Sequence, residues 1–539
     1  MRWWGWGEAA HAPGLDAREL RFLERTVGLG ARPRPPVALA RVRLPAARLP
    51  ASLLERLRAL LGAEGVRDDH GERVLHAAGK GYGDLVRMRA GEPQGAPDAV
   101  LYPREHAQLR PLLELCARAS VAVVPFGGGT SVVGGVAPLR GEHSAVVVLE
   151  MGRMGAVLGL DRQSLTVSVQ GGLRAPALER HLAARGLTLG HFPQSFEYVS
   201  LGGCAATRSA GQASTGYGAI EKMVLGLRLA APASEIELAP VPASAAGPSL
   251  RQLLVGSEGT LGVISELSLR VRRAPAERVY EGAFFDGFAA GVAWLRELAC
   301  EHALPDVARL SDERETRTSL ALAGGGLKGA LGRAYVGARG YGGGCLAILG
   351  FEGTREDVAC RRARALALAR AHGGLAVGRS PGRAWLRGRF AAPYLRDELL
   401  THGVMVETLE TAAQWASLQP LHRQVSAAIE RALAAGGTPG VVMCHVSHVY
   451  ETGASLYFTF LARQRAGEEI AQWRAVKDAA SEAILAGGGT ITHHHAVGVD
   501  HARWLERELG AGGLAALRAL KSELDPAGIM NPGKLLAAA

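Results

Sequence analysis

The sequence predicts an α+β protein in two main parts: a glycine-punctuated α+β domain, and a second α+β domain built on an antiparallel sheet with helices on one side. Three observations carry this expectation. Short apolar strands (SVAVVPF, AVVVLEM, SLTVSVQGG) alternate with helices of apolar spacing up to SELSLRVRR near residue 273. After APAERVYEG the pattern resets into strand–helix–strand and strand–helix units. Three glycine-rich segments fall between residues 125 and 271, too many and too similar in texture for ordinary loops.

Taken in order, residues 1–92 mix the helical stretches ARELRFLERTVG and ASLLERLRALLG with the proline-rich connector RPRPPVALARVRLPAARLP, and are expected to wrap around the body of the protein. The first domain spans 93–273. In it APDAVLYPREHAQLRPLLELCARASVAVVPFGGGTS reads as a short strand, a helix and an apolar strand running into glycines, and the helix APALERHLAARG follows two further strands. The second domain spans 274–500. LAILGFEGTREDVACRRARALALARAHGGLAVG reads strand, helix, strand, and GASLYFTFLARQ followed by EEIAQWRAVKDAASEAILAGGG repeats strand then helix. Residues 501–539 end in a helix and a Pro/Gly turn, expected to fold back on the first domain.

At 539 residues the chain is long enough for two or three domains with ample burial and no need of covalent staples. Its six cysteines are scattered without a C-x-x-C pair, which suggests neither a disulfide framework nor a cysteine zinc site and favours a reducing cytoplasm. The formal charge of +10 comes almost wholly from arginines spread along the chain, not from one basic helix or tail, so a nucleic-acid partner is not expected. The excess is compatible with anionic small substrates or an anionic membrane surface. MRWWGWGEAAHAPG lacks the apolar core of a secretory signal, and no apolar run reaches membrane-spanning length, so the expectation is a cytoplasmic protein, at most peripheral to a membrane.

In PFGGGTSVVGG (125–135) three glycines after a buried strand free the backbone to take positive φ and to aim successive amide N–H groups at a diphosphate with no Cβ in the way. No Gly-Lys-Ser/Thr follows, so this is not a Walker loop; the spacing and helix of a dinucleotide fingerprint are missing as well. HFPQSFEYVSLGGCAATRSAGQASTGYGAIEKMV (191–224) and GSEGTLGVISELSLRV (256–271) extend the signal, and together the three segments suit one long, flat, phosphorylated cofactor.

GGGTITHHHAVGVDH (487–501) sets three histidines side by side. On an extended strand His493 and His495 face one way and His494 the other, so the three do not converge as metal ligands. A polar turn after a helix is the bland alternative. In GASLYFTF, Leu456, Phe458 and Phe460 share one strand face while Ser455, Tyr457 and Thr459 share the other, so Tyr457 projects away from the expected core. Arg309 and Arg396 each sit near acids in sequence, and a surface ion pair is the bland reading of both. His445 and His448 add two imidazoles upstream of Tyr457; a metal held by them with the triplet is the alternative to the metal-free reading adopted.

The three glycine-rich segments resemble the flavin-binding domain of the FAD-linked oxidases related to p-cresol methylhydroxylase and vanillyl-alcohol oxidase. With RWWGWG, PQSFEYVSLGGCAATRSAG, GSEGTLGVISE, ARLSDERE, PYLRDELL, GASLYFTF, ILAGGGTITHHHAVG and NPGKLL, the chain from residue 2 to 535 is similar to the alkyldihydroxyacetone phosphate synthases (alkylglycerone-phosphate synthases), the flavoenzymes of ether-lipid synthesis. The resemblance implies a two-part FAD-binding domain of the p-cresol methylhydroxylase type, with an α+β cap built on an antiparallel sheet, and non-covalent FAD. By resemblance, the FAD-contacting residues are Pro125, Phe126, Gly127, Gly128, Gly129, Thr130 and Ser131; Pro193, Gln194, Ser195, Phe196, Glu197, Tyr198 and Val199; Ala206, Thr207, Arg208 and Ser209; and Glu258, Gly259, Thr260, Leu261, Gly262, Val263 and Ile264. Tyr457 is similar to the family's catalytic tyrosine, Arg396 to its substrate-phosphate arginine and Arg309 to another active-site arginine; His493, His494 and His495 match its histidine triplet.

The implied reaction is redox-neutral. The acyl group of acyl-dihydroxyacetone phosphate is exchanged for a long-chain fatty alcohol by way of a flavin N5 adduct, with Tyr457 moving the C1 proton and nearby cations lowering its phenol pKa from about 10. A homodimer is the expected assembly. The rival is an FAD-dependent 2-hydroxy-acid dehydrogenase of the D-lactate, 2-hydroxyglutarate or glycolate type. That class carries an H-x-G-D-G-N-x-H metal segment where this chain has HVSHVYETGASLY.

Overall fold

The computed structural model describes residues 1–11, 14–322 and 334–536. Three sheets organise them. The first contains β1 (Val66–Arg67), β2 (Ala99–Leu101), β3 (Val121–Phe126) and β4 (Ala145–Glu150) in the order β1-β2-β4-β3. β4 lies parallel to both β2 and β3, and β1 adds an antiparallel edge. A parallel sheet covered on both faces needs apolar residues at successive positions. The run AVVVLE in β4 supplies them, with Val147 and Leu149 in one cluster and Val146 and Val148 in another on the opposite face.

The second sheet runs β5 (Val157–Asp161), β6 (Thr166–Gln170), β10 (Val263–Arg270), β8 (Val224–Ala230) and β9 (Glu235–Leu238), while β7 (Leu187–Thr188) and β11 (Arg272–Arg273) form a short ribbon. It is antiparallel throughout and packs one face, so β10 alternates buried and half-buried residues over its second half.

The third sheet has seven strands: β12 (Glu277–Phe285), β13 (Val307–Ser311), β14 (Cys345–Gly353), β15 (Leu375–Gly378), β16 (Val404–Gln414), β17 (Val441–Val449) and β18 (Gly453–Arg463). The order is β15-β12-β14-β13-β17-β18-β16, with every pair antiparallel. Helices Phe288–Cys300, Arg355–Ala371, Trp415–Ala435 and Glu469–Ala486 bury the largest core of the molecule against one face. Leu456, Phe458 and Phe460 point into that core and are fully buried, which turns Tyr457 and Thr459 to the opposite face, as the alternation in GASLYFTF predicts.

The chain ends tie these parts together. Val123 of β3 donates its N–H to Ile529 O (2.8 Å) and accepts from the Asn531 N–H (2.9 Å). At the other end, the Trp6 N–H and the Arg2 guanidinium both bond the buried Asp397 carboxylate. Among the described residues no helix is long and apolar enough to cross a membrane.

Candidate functional site

A partly open cleft of about 90 Å³ runs between the first two sheets. Its wall includes Pro125, Phe126, Gly127 and Ser131 from the first glycine-rich segment, Ala206 and Thr207 from the second, and Glu258, Gly259, Gly262, Val263 and Ile264 from the third. Beyond β3 the chain leaves the ladder, and the N–H groups of Gly128, Gly129, Thr130 and Ser131 find no acceptor among the described residues. These residues are buried at Gly129 and half-buried at the other three, so successive unpaired amides line a partly sheltered concavity that suits an anion such as a diphosphate. Glycine is required here for space: a Cβ on Gly128 would sit 2.2 Å from the Tyr198 carbonyl oxygen, and one on Gly127 would sit 2.1 Å from Ser200 Oγ. Of the other positions expected to touch the cofactor, Thr260 and Leu261 are buried behind the wall. Arg208 donates to Gln252 O and Ser209 bonds His191, while Pro193–Val199 lie off the wall, Gln194 reaching Arg389 O and Phe196 stacking on Phe390.

Glu258 joins this cleft to the histidine loop. Held at φ +52°, it aims its carboxylate at the N–H groups of Val497 (2.8 Å) and Gly498 (2.7 Å). Burial raises its pKa to about 7. The loop it anchors returns Ala496, the residue after the triplet, to the cleft wall.

Beyond Ala496 lies the open face of the third sheet. Register places Glu410 of β16 and His445 of β17 on either side of Tyr457. Residues directly opposite in antiparallel strands share a face, so the three form one row across the sheet. The His445 ring stacks on Tyr457 at 4.9 Å between centroids. Arg309 Nη1 lies 2.9 Å from His445 Nε2, and because a guanidinium only donates, that nitrogen accepts. Arg309 Nη2 also lies 3.1 Å from Nδ1, but Nδ1 faces Glu315 Oε1 at 3.1 Å, and because a carboxylate only accepts, the ring proton is placed on Nδ1. Glu315, also bonded by Arg309 (2.7 Å), is drawn down to about 2: burial alone would raise it, but His445 and Arg309 outweigh burial. His445 itself titrates below the ordinary histidine range because desolvation and Arg309 oppose a second charge.

Two expectations are overturned here. The triplet is not an extended strand with alternating rings. It is a bend in which the N–H groups of His493 (3.0 Å), His494 and His495 (2.6 Å) all turn to Glu410 Oε1, and this brings the rings together. The His494 and His495 centroids lie 6.2 and 5.4 Å from that of Tyr457, and His493 receives the Tyr450 hydroxyl at 2.5 Å. Nor is the Tyr457 phenol acidified. Desolvation, with Glu410 and Glu407, pushes it up to about 12 against the pull of Thr408 and Arg309. Desolvation also takes His495 down to about 3 and His448 well below its usual value.

The structure thus gathers Tyr457, His493, His494, His495 and Arg309 with His445 and His448. The nitrogens of His448, His493 and His494 lie within 4.8 Å of one another, as do ligand atoms of Glu410, His494 and His495. His448 Nδ1 is already bonded to Ser214 Oγ (2.5 Å), and His445 is engaged by Arg309 and Glu315. Arg396 stands apart, on helix Ala392–Thr401. Its Nη1 bonds Lys80 O (2.6 Å), Lys80 N bonds Ser131 O, and its Nε and Nη2 are buried without an acceptor among the described residues. Sequence reasoning missed Glu410 and Glu315. The available signal for the first was a carboxylate set in the otherwise apolar strand VMVETLETAAQ.

Residues 97–238 match the family described as FAD binding domain, and residues 274–535 the family described as FAD linked oxidases, C-terminal domain. The protein is similar to the alkyldihydroxyacetonephosphate synthase of Dictyostelium discoideum, at 34% identity over 90% of this chain and 80% of that one. The enzyme of the same name from Trypanosoma brucei brucei is 34% identical over 92% and 82%. A solved alkyldihydroxyacetonephosphate synthase superposes with a TM-score of 0.86 at 29% identity, covering 99% of this chain and 98% of that one. The fold alone is shared with p-cresol methylhydroxylase, with a TM-score of 0.68 at 15% identity over 92% of this chain and 99% of that one. FAD is the cofactor that the free amide row and the FAD binding domain accommodate. By sequence and by fold, the chain belongs to the alkyldihydroxyacetonephosphate synthase family.

Proposed function

We propose that the protein exchanges the acyl group of acyl-dihydroxyacetone phosphate for a long-chain fatty alcohol, in an FAD-dependent and redox-neutral reaction that forms an ether lipid precursor. The observation that carries this reading is the junction at Ala496: the glycine-lined cleft reaches the residue after His495, whose ring centroid lies 5.4 Å from that of Tyr457. FAD, when bound, supplies the electrophile of the exchange. Tyr457 keeps its proton at neutral pH, which suits Oη to donate to the departing carboxylate. The imidazole of His495 is neutral and suits the opposite task, accepting the proton from C1 of the substrate. Arg309 holds His445 in one tautomer against the Tyr457 ring. Arg396, with two guanidinium nitrogens uncommitted, binds the substrate phosphate.

On this reading residues 93–273 carry the cofactor, 274–500 close over it, and 1–92 and 501–539 brace the two. The six unpaired cysteines support a reducing cytoplasm. A homodimer in peripheral contact with a membrane completes the proposal, since both substrates carry long apolar tails.

The test is incorporation of labelled hexadecanol from acyl-dihydroxyacetone phosphate, with and without an added electron acceptor. Ether formation independent of acceptor is expected. Acceptor reduction by lactate or 2-hydroxyglutarate without incorporation overturns the reading in favour of the dehydrogenase.

A further inference from the structure

We propose that Glu410 is the positioning residue of the site: its buried carboxylate shapes the histidine triplet and fixes it against Tyr457. This inference rests on the exchange reading above and assigns a role to a side chain outside it. Three successive backbone N–H groups, those of His493, His494 and His495, converge on the single oxygen Oε1. Successive amides turned to one point form an anion-binding concavity, and here the anion is part of the chain itself. The second oxygen, Oε2, lies within ion-pair distance of the Nδ1 atoms of His493 (3.3 Å) and His494 but accepts no hydrogen bond, those two nitrogens being 3.0 Å from each other. One carboxylate therefore sets the backbone bend through Oε1 and lies against two of the rings through Oε2.

Its own position is fixed independently of the loop. Glu410 lies in the interior of β16, in full register with β18 and directly opposite Tyr457, with a side chain that is 0% exposed. A carboxylate placed in such a setting is costly unless its charge is matched by donors. Three amides donate to it, and although burial alone would raise its pKa, the neighbouring imidazoles, His494 first, outweigh burial and hold it well below the usual carboxylate range. Strand pairing holds Glu410 whether or not the loop is in place, so it is the loop that takes its bend from the carboxylate. Without the carboxylate, adjacent histidines have no local reason to converge, since neither helix nor strand periodicity brings positions i, i+1 and i+2 to one side. Glu410 touches the groups that act on substrate, not the substrate, so its loss is expected in turnover more than in binding.

The experiment compares Glu410→Gln, Glu410→Asp, His494→Ala and the double variant Glu410→Gln/His494→Ala in the hexadecanol exchange assay, each checked for its flavin absorbance spectrum. Glu410→Gln, which keeps the shape and removes the charge, is expected to lose about 100-fold in kcat with KM for acyl-dihydroxyacetone phosphate within threefold. The double variant is expected to be no slower than His494→Ala, because both changes disable one unit. Glu410→Gln with kcat within threefold of wild type overturns the proposal, as does a loss that multiplies with that of His494→Ala. Should Glu410→Gln not retain FAD, Glu410→Asp carries the same comparison. Loss of FAD from both assigns the carboxylate to the fold and likewise overturns it. Wild-type protein that binds FAD but is inert in exchange overturns the functional reading itself, and is told apart from the other outcomes because each of those is read against active wild type.

Discussion

Replacing Gly128 with alanine tests the cofactor cradle most directly. The added Cβ would lie 2.2 Å from the Tyr198 carbonyl oxygen, 2.9 Å from its carbon and 3.0 Å from Arg174 Nη1; the guanidinium is the end of a flexible side chain, but the carbonyl is backbone and cannot swing aside. The same carbonyl is bonded by Arg174 at 2.5 Å, which stiffens it further. Restoring ordinary contact moves the 127–131 loop by about 1 Å, enough to stretch a normal N–H···O bond beyond bonding distance. Each hydrogen bond to a charged group is worth about 1.5–3 kcal/mol. Losing one or two of the bonds from the Gly128–Ser131 amides to the diphosphate costs about 2–5 kcal/mol, or roughly 30-fold to a few thousand-fold in Kd for FAD. Fluorescence titration of the deflavinated protein with FAD reads this, alongside the ratio of flavin to protein absorbance after purification. Gly128→Ala protein with a full flavin complement and a Kd within threefold of wild type would refute the assignment of those amides to the cofactor.

Two further outcomes are expected. Tyr457→Phe removes only an oxygen from a residue whose ring packing against His445 remains, so FAD binding is retained while hexadecanol exchange falls by at least 100-fold; exchange at the wild-type rate removes Tyr457 from the proton-transfer role. Acid should destabilise the protein before its carboxylates titrate. Desolvation lowers His191 and His501, both buried, from 6.5 to about 3, so below pH 6.5 the unfolded chain binds protons that the folded one refuses, and stability falls as pH falls until about pH 3. Together the two groups cost roughly 3 kcal/mol between pH 7.5 and 5.5, read as a drop in the urea midpoint. An unchanged midpoint over that range contradicts the buried neutral state of these rings.

The alternation of GASLYFTF predicts the placement of Tyr457 opposite the core without any tertiary information, because strand periodicity is a local property and the core demands the Leu456, Phe458 and Phe460 face. The glycines of PFGGGTS are equally legible, since a backbone that must approach other atoms closely admits no side chain there. Local pattern therefore determined the fold class, the glycine cradle and the side of the sheet that carries Tyr457, while the roles proposed for the site residues rest on the family resemblance.

Local pattern fails where partners are distant. The convergence of His493, His494 and His495 depends on Glu410, more than eighty positions earlier and visible in the sequence only as one carboxylate in a strand. The tautomer of His445 depends on Glu315, in the helix Glu313–Leu322 that follows β13, and on Arg309, which the pairing of β13 with β17 brings to it. The proton affinity of Tyr457 moved opposite to the sequence expectation, because desolvation is set by everything packed around a group and cannot be read from its neighbours in the chain. Residue types and periodicity determined which groups are present and which side of a strand they face. Only the tertiary structure decided which of them meet, how they are charged and which nitrogen carries the proton, since those follow from contacts and solvent exclusion between segments far apart in the chain.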